Sequence, residues 1–251
     1  MYGSATRTIK SISEYFKENI SWSRVTSGSL SLRYYPKGFI FSDAGSCIFF
    51  EQKDSLFYVL AYLNSPIAKY FAKAFSATIT YESGQIAKYP VIDLPNDANK
   101  IIQSNVKSLI QIAKDDWNRF EISWDFNNPI WIDSTSSFLE KSFHSFLKTL
   151  DLEKEKTLQL ELSTNKLLID SYGLQDETSP KIKEDEVTLL GNPKYRYSGS
   201  NLTNSQLAER FRLDTIKELF SYSIGCMVGR YSLNEQGLIY AHSDNEGFDA
   251  S

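Results

Sequence analysis

Cysteine and histidine are scarce in this sequence: Cys47 and Cys226, His144 and His242 are the whole supply. So few exclude a disulfide scaffold and leave too little for a zinc centre. Both cysteines sit in apolar runs, so buried free thiols are expected. No apolar run approaches the ~20 residues that span a bilayer, and residues 1–20 lack the apolar centre of a secretory leader. A soluble, cytoplasmic chain with no membrane partner is expected. An excess of one charge is missing too: 27 Lys and Arg face 31 Asp and Glu, net −4. Overall charge therefore carries no nucleic-acid signal. Catalytic strings are absent as well. There is no G-x-G-x-x-G after a strand, no P-loop, no H-E-x-x-H and no G-x-S-x-G. Asp115, Asp116 and Asp133 are poor metal candidates, because the Asp115–Asp116 pair fits the polar face of a helix.

What is present is local. Residues 1–95 hold ten basic and seven acidic residues, whereas the remainder holds 17 and 24. The first part can therefore carry a positive face that the average conceals. Within it, SWSRVTSGSLSLRYYPKGFIFSDAG (21–45) places Ser23, Arg24, Ser27, Ser29, Arg33, Tyr35 and Lys37 in an alternating pattern. Guanidinium forks suit guanine edges and phosphates, and hydroxyls and glycine amides suit phosphate oxygens. Gly28 between two serines permits close backbone approach. Tyr34 and Tyr35 point to opposite faces of a strand, so one of them belongs to the core. Gln85 and Lys88, with Lys69 and Lys73, extend the candidate surface. A solvated hairpin would present the same pattern.

The periodicity predicts an α+β fold. Residues 30–34 and 38–41 read as a hairpin around Pro36 and Gly38, and Ser46–Phe50 as a further strand. Leu56–Leu63 reads as a helix, restarted by Ser65 as cap and Pro66 as first residue and running to about Phe75. Residues 76–82 and 86–94 read as strands. One amphipathic helix is expected over 97–120, with Ile101, Ile102, Val106, Leu109, Ile112 and Ala113 as its stripe. Trp117, Trp124, Phe126 and Trp131 are expected to pack. Residues 134–171 read as a long helix or helix pair, faced by Phe143, Leu147, Leu150, Leu158, Leu162 and Ile169 and ended by Gly173. Residues 176–200 read as a linker or extended loop, and 203–227 as a helix capped by Thr203 or Asn204. The division is 1–95 as a small mixed-sheet module, 96–172 as helical spacer, and 173–251 as linker plus an incomplete helical appendage.

Three separated strings then meet a known pattern. The serine-rich opening Ser27–Ser31 with Arg33–Gly38, the Leu63–Phe71 element, and Gly84, Ile86 and Tyr89–Pro95 resemble the target-recognition region of adenine-specific DNA methyltransferases of the PglX type, from BREX phage-defence systems. NKLLIDSYGLQDETSP (165–180) and FSYSIGCMVGRYSLNEQGLI (220–239) are similar to the helical region that follows it. Type I specificity subunits carry a similar closing pattern. The resemblance implies recognition of double-stranded DNA by Ser23, Arg24, Ser27, Gly28, Ser29, Arg33, Tyr34, Tyr35, Lys37, Gln85 and Lys88. It implies no catalytic residue, cofactor or metal in this chain, with S-adenosylmethionine used by the intact parent. Partners would be the catalytic domain or other defence proteins. The family's base-holding Asn-Pro-Pro-Tyr loop is not found. The nearest string, Asn127–Asn128–Pro129–Ile130, lacks the second proline and the ring that would stack on a flipped adenine. A fragment or truncated segment is thus expected, with a protein-interaction module of the same defence complex as the alternative and a nuclease third.

Overall fold

The computed structural model describes residues 11–26, 28–42, 44–75, 80–129 and 138–239. Expectations for Ser27, for residues 76–79, and for Trp131, Asp133 and His242 lie outside the described residues. An α+β fold is present: a three-stranded sheet and then long helices. In order these are β1 (Asn19–Ser23), β2 (Leu32–Tyr35), β3 (Gly45–Ile48), α1 (Lys53–Asn64), α2 (Pro66–Phe75), α3 (Ser83–Ile86), α4 (Asn96–Trp117), α5 (Leu139–Tyr172), α6 (Pro193–Arg196) and α7 (Asn204–Met227). None of the described helices is long and apolar enough to cross a membrane. The chain forms two compact units, Met1–Ile110 with Leu160–Lys181 and Gln111–Gln159 with Ile182–Ser251.

In the first unit the sheet order is β2-β1-β3, and both pairings are antiparallel. The expected hairpin does not form. Residues 38–41 are irregular and β2 pairs with the earlier β1, Trp22 opposite Leu32 and Asn19 opposite Tyr35. The reason lies at Gly38, whose φ of 105° lets its amide leave the strand path and bond to the Phe16 carbonyl at 3.1 Å. Alternation sets the faces: Ile20, Trp22 and Leu32 are buried, and Ser23 and Arg33 point to solvent. Against the apolar face pack Leu56, Leu60, Tyr62 and Leu63 of α1, Ile67 of α2, Ile102 and Val106 of α4, and Leu168 and Ile169 of α5. Residues 86–94 are not a strand. α3 and the irregular run to Pro95 replace it, held where the Tyr58 hydroxyl donates to the Ile92 carbonyl and that of Tyr172 to the Pro90 carbonyl.

Asn64, the last residue of α1, closes the outer edge of the sheet. The Leu32 amide donates to its Oδ1 at 2.8 Å, and its Nδ2 donates back to the Leu32 carbonyl at 3.1 Å and to the Leu60 carbonyl at 3.1 Å. A side-chain amide thus serves as the missing neighbour of an edge strand.

In the second unit α5 buries Phe146, Leu150 and Thr157; of the expected stripe Leu150 is buried and Phe143 and Leu147 pack against it partly buried, with Phe146 added. Within 176–200, expected as a linker or extended loop, Val187, Leu189 and Asn192 are buried. Asp116 is not on a polar face. It is 3% exposed and accepts the amides of Leu190 at 2.6 Å and Gly191 at 2.9 Å, with Arg119 3.8 Å away. Burial pushes this carboxyl above its ordinary range, against the two amides and the guanidinium. A Cβ at 191 would lie 2.7 Å from Leu150 and 2.9 Å from Asp116, so any side chain there has to displace one or both. Thr203 caps α7 with a reciprocal Gln206 bond. Phe126, Tyr222 and Tyr231 form a separate aromatic cluster. Trp117 and Trp124, expected to pack, are 48% and 97% exposed. Both cysteines are free, but half-buried rather than buried.

Two expected outcomes follow from these contacts. Asn64→Ala leaves the Leu32 amide without a partner and its carbonyl with Arg33 alone, lowers stability by about 1–3 kcal/mol, and speeds hydrogen exchange at the Leu32 amide first. Asp116→Asn turns an amide donor toward a backbone donor, which should also cost about 1–3 kcal/mol in denaturant titrations and expose the Leu190 and Gly191 amides to exchange.

Candidate nucleic-acid interface

The pairing register brings part of the candidate set onto one surface. Across the sheet Arg33 stands opposite Ser21, and Ser21 opposite Cys47. Ser23 and Tyr35 share this face, two residues along their strands on either side of that row, and Arg33 and Tyr35 are exposed. Arg33 Nη1 donates to Ser31 Oγ at 2.5 Å and to the Leu32 carbonyl at 3.0 Å. The guanidinium is therefore anchored beside the peptide group that Asn64 holds. Lys37 follows on the exposed turn 36–38.

Arg24 continues β1. Its amide donates to the Ala44 carbonyl and its carbonyl accepts from the Tyr81 amide, while its Nε lies 3.9 Å from Glu82. Trp22 Nε1 donates to the Tyr81 carbonyl at 2.8 Å, fixing the segment before α3 to the same strand. Gly28 and Ser29 are exposed in the connection to β2, and Lys88 is exposed after α3. Two candidates carry local structure. Gln85 Oε1 accepts the Glu82 amide at 3.0 Å in a capping box. Tyr34 turns to the core side of the sheet, and its hydroxyl donates to the Glu18 carboxylate, which also pairs with Lys53 at 2.9 Å. The sequence reading missed Ser21, which the register places on the face, and Asn64, which shapes it. The Leu-Asn-Ser-Pro string was visible, but the reach of the Asn64 side chain to Leu32 was not.

The surface offers guanidinium, hydroxyl and aromatic groups. Among the described residues no group of acidic, histidine or cysteine side chains is arranged to hold a metal. Guanidinium and hydroxyl groups of this kind are able to bond phosphates and base edges.

Comparison with known proteins places this α+β module and its helical extension in context. No family model matches the chain. It is 37% identical over 236 residues, 93% of its length, to the adenine-specific methyltransferase BrxX of Escherichia coli O9:H4 (strain HS). It is 33% identical over 241 residues, 94% of its length, to the adenine-specific methyltransferase PglX of Lacticaseibacillus casei (strain Zhang). The chain spans 19% and 18% of the lengths of these two relatives. It is thus related, almost end to end, to one stretch of much longer BrxX/PglX-type adenine-specific methyltransferases.

Burial, and then the hydrogen bond to Glu18, push the Tyr34 hydroxyl from its ordinary 10.0 up to about 12. A pKa raised on folding stabilises the fold fully below the ordinary value and loses that contribution as pH rises through the raised one. Alkaline unfolding should therefore set in between pH 10.0 and about 12. Tyr34→Phe should flatten the pH dependence of the denaturation midpoint in that window.

Proposed function

We propose that this chain is a sequence-specific DNA-recognition segment of an adenine-N6 DNA methyltransferase of a phage-defence or restriction–modification system. Its similarity to two adenine-specific methyltransferases over 93–94% of its length carries the reading. The solvent face of the sheet supports it: Ser23, Arg33 and Tyr35 share one surface, with Arg24 at the end of β1. On this reading residues 1–95 are the recognition module, 96–172 the helical spacer and 173–251 the appendage toward the catalytic domain. The chain holds a duplex site while a catalytic domain elsewhere in the parent turns the adenine out of the stack and methylates it from S-adenosylmethionine. Arg24 and Arg33 are the principal contacts, and Gly28, Ser29, Lys37 and Lys88 contribute positioning. Gln85 and Tyr34 act through the backbone and strand they hold.

A second reading has its own observation. Phe220, Ile224, Met227 and Val228 of and just beyond α7 are 59–85% exposed and spaced as one helix stripe. This favours a docking role toward another protein of the same defence complex. Self-association without DNA binding would select it.

The test is fluorescence-anisotropy titration of random duplex DNA between about 50 and 200 mM salt. Binding should weaken steeply with salt. A phosphate-contacting arginine changed to alanine should reduce the logarithmic salt slope by about 1 and weaken all sequences alike. A base-reading arginine should instead cost ~1–3 kcal/mol at one base pair. If the intact parent protein fails to bind duplex DNA with Arg24 and Arg33 in place, the reading is wrong.

A further inference from the structure

At the end of the sheet face lies a feature that the recognition reading does not use. Phe39 and Ile40, just past the Pro36–Lys37–Gly38 turn, are 48% and 58% exposed. Exposed apolar side chains on a slack loop would fold back, but this tip is held. The Phe16 amide donates to the Phe39 carbonyl and the Gly38 amide to the Phe16 carbonyl, both at 3.1 Å. The Tyr35 ring meets that of Phe39 edge-on at 5.9 Å. Beneath, Tyr15 and Phe49 brace Phe41 at 5.3 and 5.5 Å. The ordering cost of presenting two apolar groups to solvent is therefore met before anything binds.

Charge distinguishes the occupants. Lys17, Arg33 and Lys37 lie along this rim with Glu14 and Glu18, and Glu18 is already matched by Lys53 and Tyr34. The tip is small, flanked by cations, and continuous with the Arg33–Tyr35 face. Minor-groove proteins insert such side chains, phenylalanine, isoleucine and proline among them, between base pairs. We infer that Phe39 and Ile40 form an apolar wedge that enters duplex DNA at a base step, unstacking it and bending the duplex against the Arg33 face. This rests on the DNA-recognition reading and adds readout through deformability, since the energy of unstacking depends on the step.

Duplexes selected by the full chain from a random-sequence pool, labelled at both ends for energy transfer, test it. The wild-type chain should bend them by roughly 20–90°. Phe39→Ser with Ile40→Ser should bind with the same salt slope and leave them straight, and Phe39→Leu should retain the bend. Because both side chains are half exposed, these variants should keep the wild-type circular dichroism. Straight duplexes bound by the wild-type chain, or an equal bend with the serine variant, would overturn the wedge and leave the recognition reading standing. Failure of both the full chain and the intact parent to select any duplex would overturn both. Loss of self-association in the serine variant, with DNA bending unchanged, would assign the tip to protein docking and overturn the wedge.

Discussion

One side-chain amide organises the surface on which the rest depends. Asn64 ends the first long helix and reaches across to bond both polar groups of Leu32. An edge strand normally presents unpaired donors and acceptors, which invite another chain. Here the next residue along that strand is Arg33, whose guanidinium bonds to the same Leu32 carbonyl. The helix, the strand edge and the principal cation are thus one connected group. Ser65 and Pro66 follow at once, and Ser65 Oγ donates to the Tyr62 carbonyl at 2.6 Å. The restart into α2 therefore stops α1 at the point where Asn64 can reach the sheet.

The second unit uses the same device with the opposite polarity. A buried carboxylate, Asp116, takes two successive backbone amides of the 182–200 segment, and Gly191 allows that segment to press against Leu150. Arg119 beside it is held by Glu153 through its Nη1 and Nη2. In both units a polar side chain on a helix substitutes for a missing main-chain partner. That is how short or irregular segments avoid the penalty of unpaired buried groups.

Periodicity made the helices legible. α1, α2, α4, α5 and α7 lie where apolar spacing and the Ser65–Pro66 and Thr203 signals put them. Of the three strands, β2 and β3 fall in runs read as strands, 30–34 and Ser46–Phe50, whereas β1 at Asn19–Ser23 lies outside the runs read as strands. What failed was partnership. The run 38–41 has strand composition, yet Phe39 and Ile40 face solvent because Gly38 diverts the chain. Residues 86–94 are apolar and bounded by prolines, but their first amides close turns around α3 and the Pro90 and Ile92 carbonyls are met by tyrosine hydroxyls instead of a ladder. Residues 176–200 read as a linker or extended loop because the groups that hold them, Asp116 among them, are distant in sequence or internal to the loop itself. For the candidate surface, alternation alone put Ser23, Arg33 and Tyr35 on one side of their strands. It could not show that Gln85 would be spent on a cap or Tyr34 on Glu18.

The first unit is assembled from stretches far apart in the chain. Tyr172, at the end of α5, stacks on Tyr62 with rings 5.2 Å apart and 8° from parallel, and its hydroxyl lies 3.1 Å from that of Tyr58. Asn105 of α4 bonds Thr164 of α5 at 3.1 Å, and Leu168 and Ile169 share a core with Ile20. The module is therefore not a cassette. Recombination that exchanged only the first hundred residues between diverged relatives would bring in α1 with the wrong stacking partner. An exchange that keeps the Tyr62–Tyr172 stack and the Asn105–Thr164 bond intact has to carry the whole stretch through residue 181.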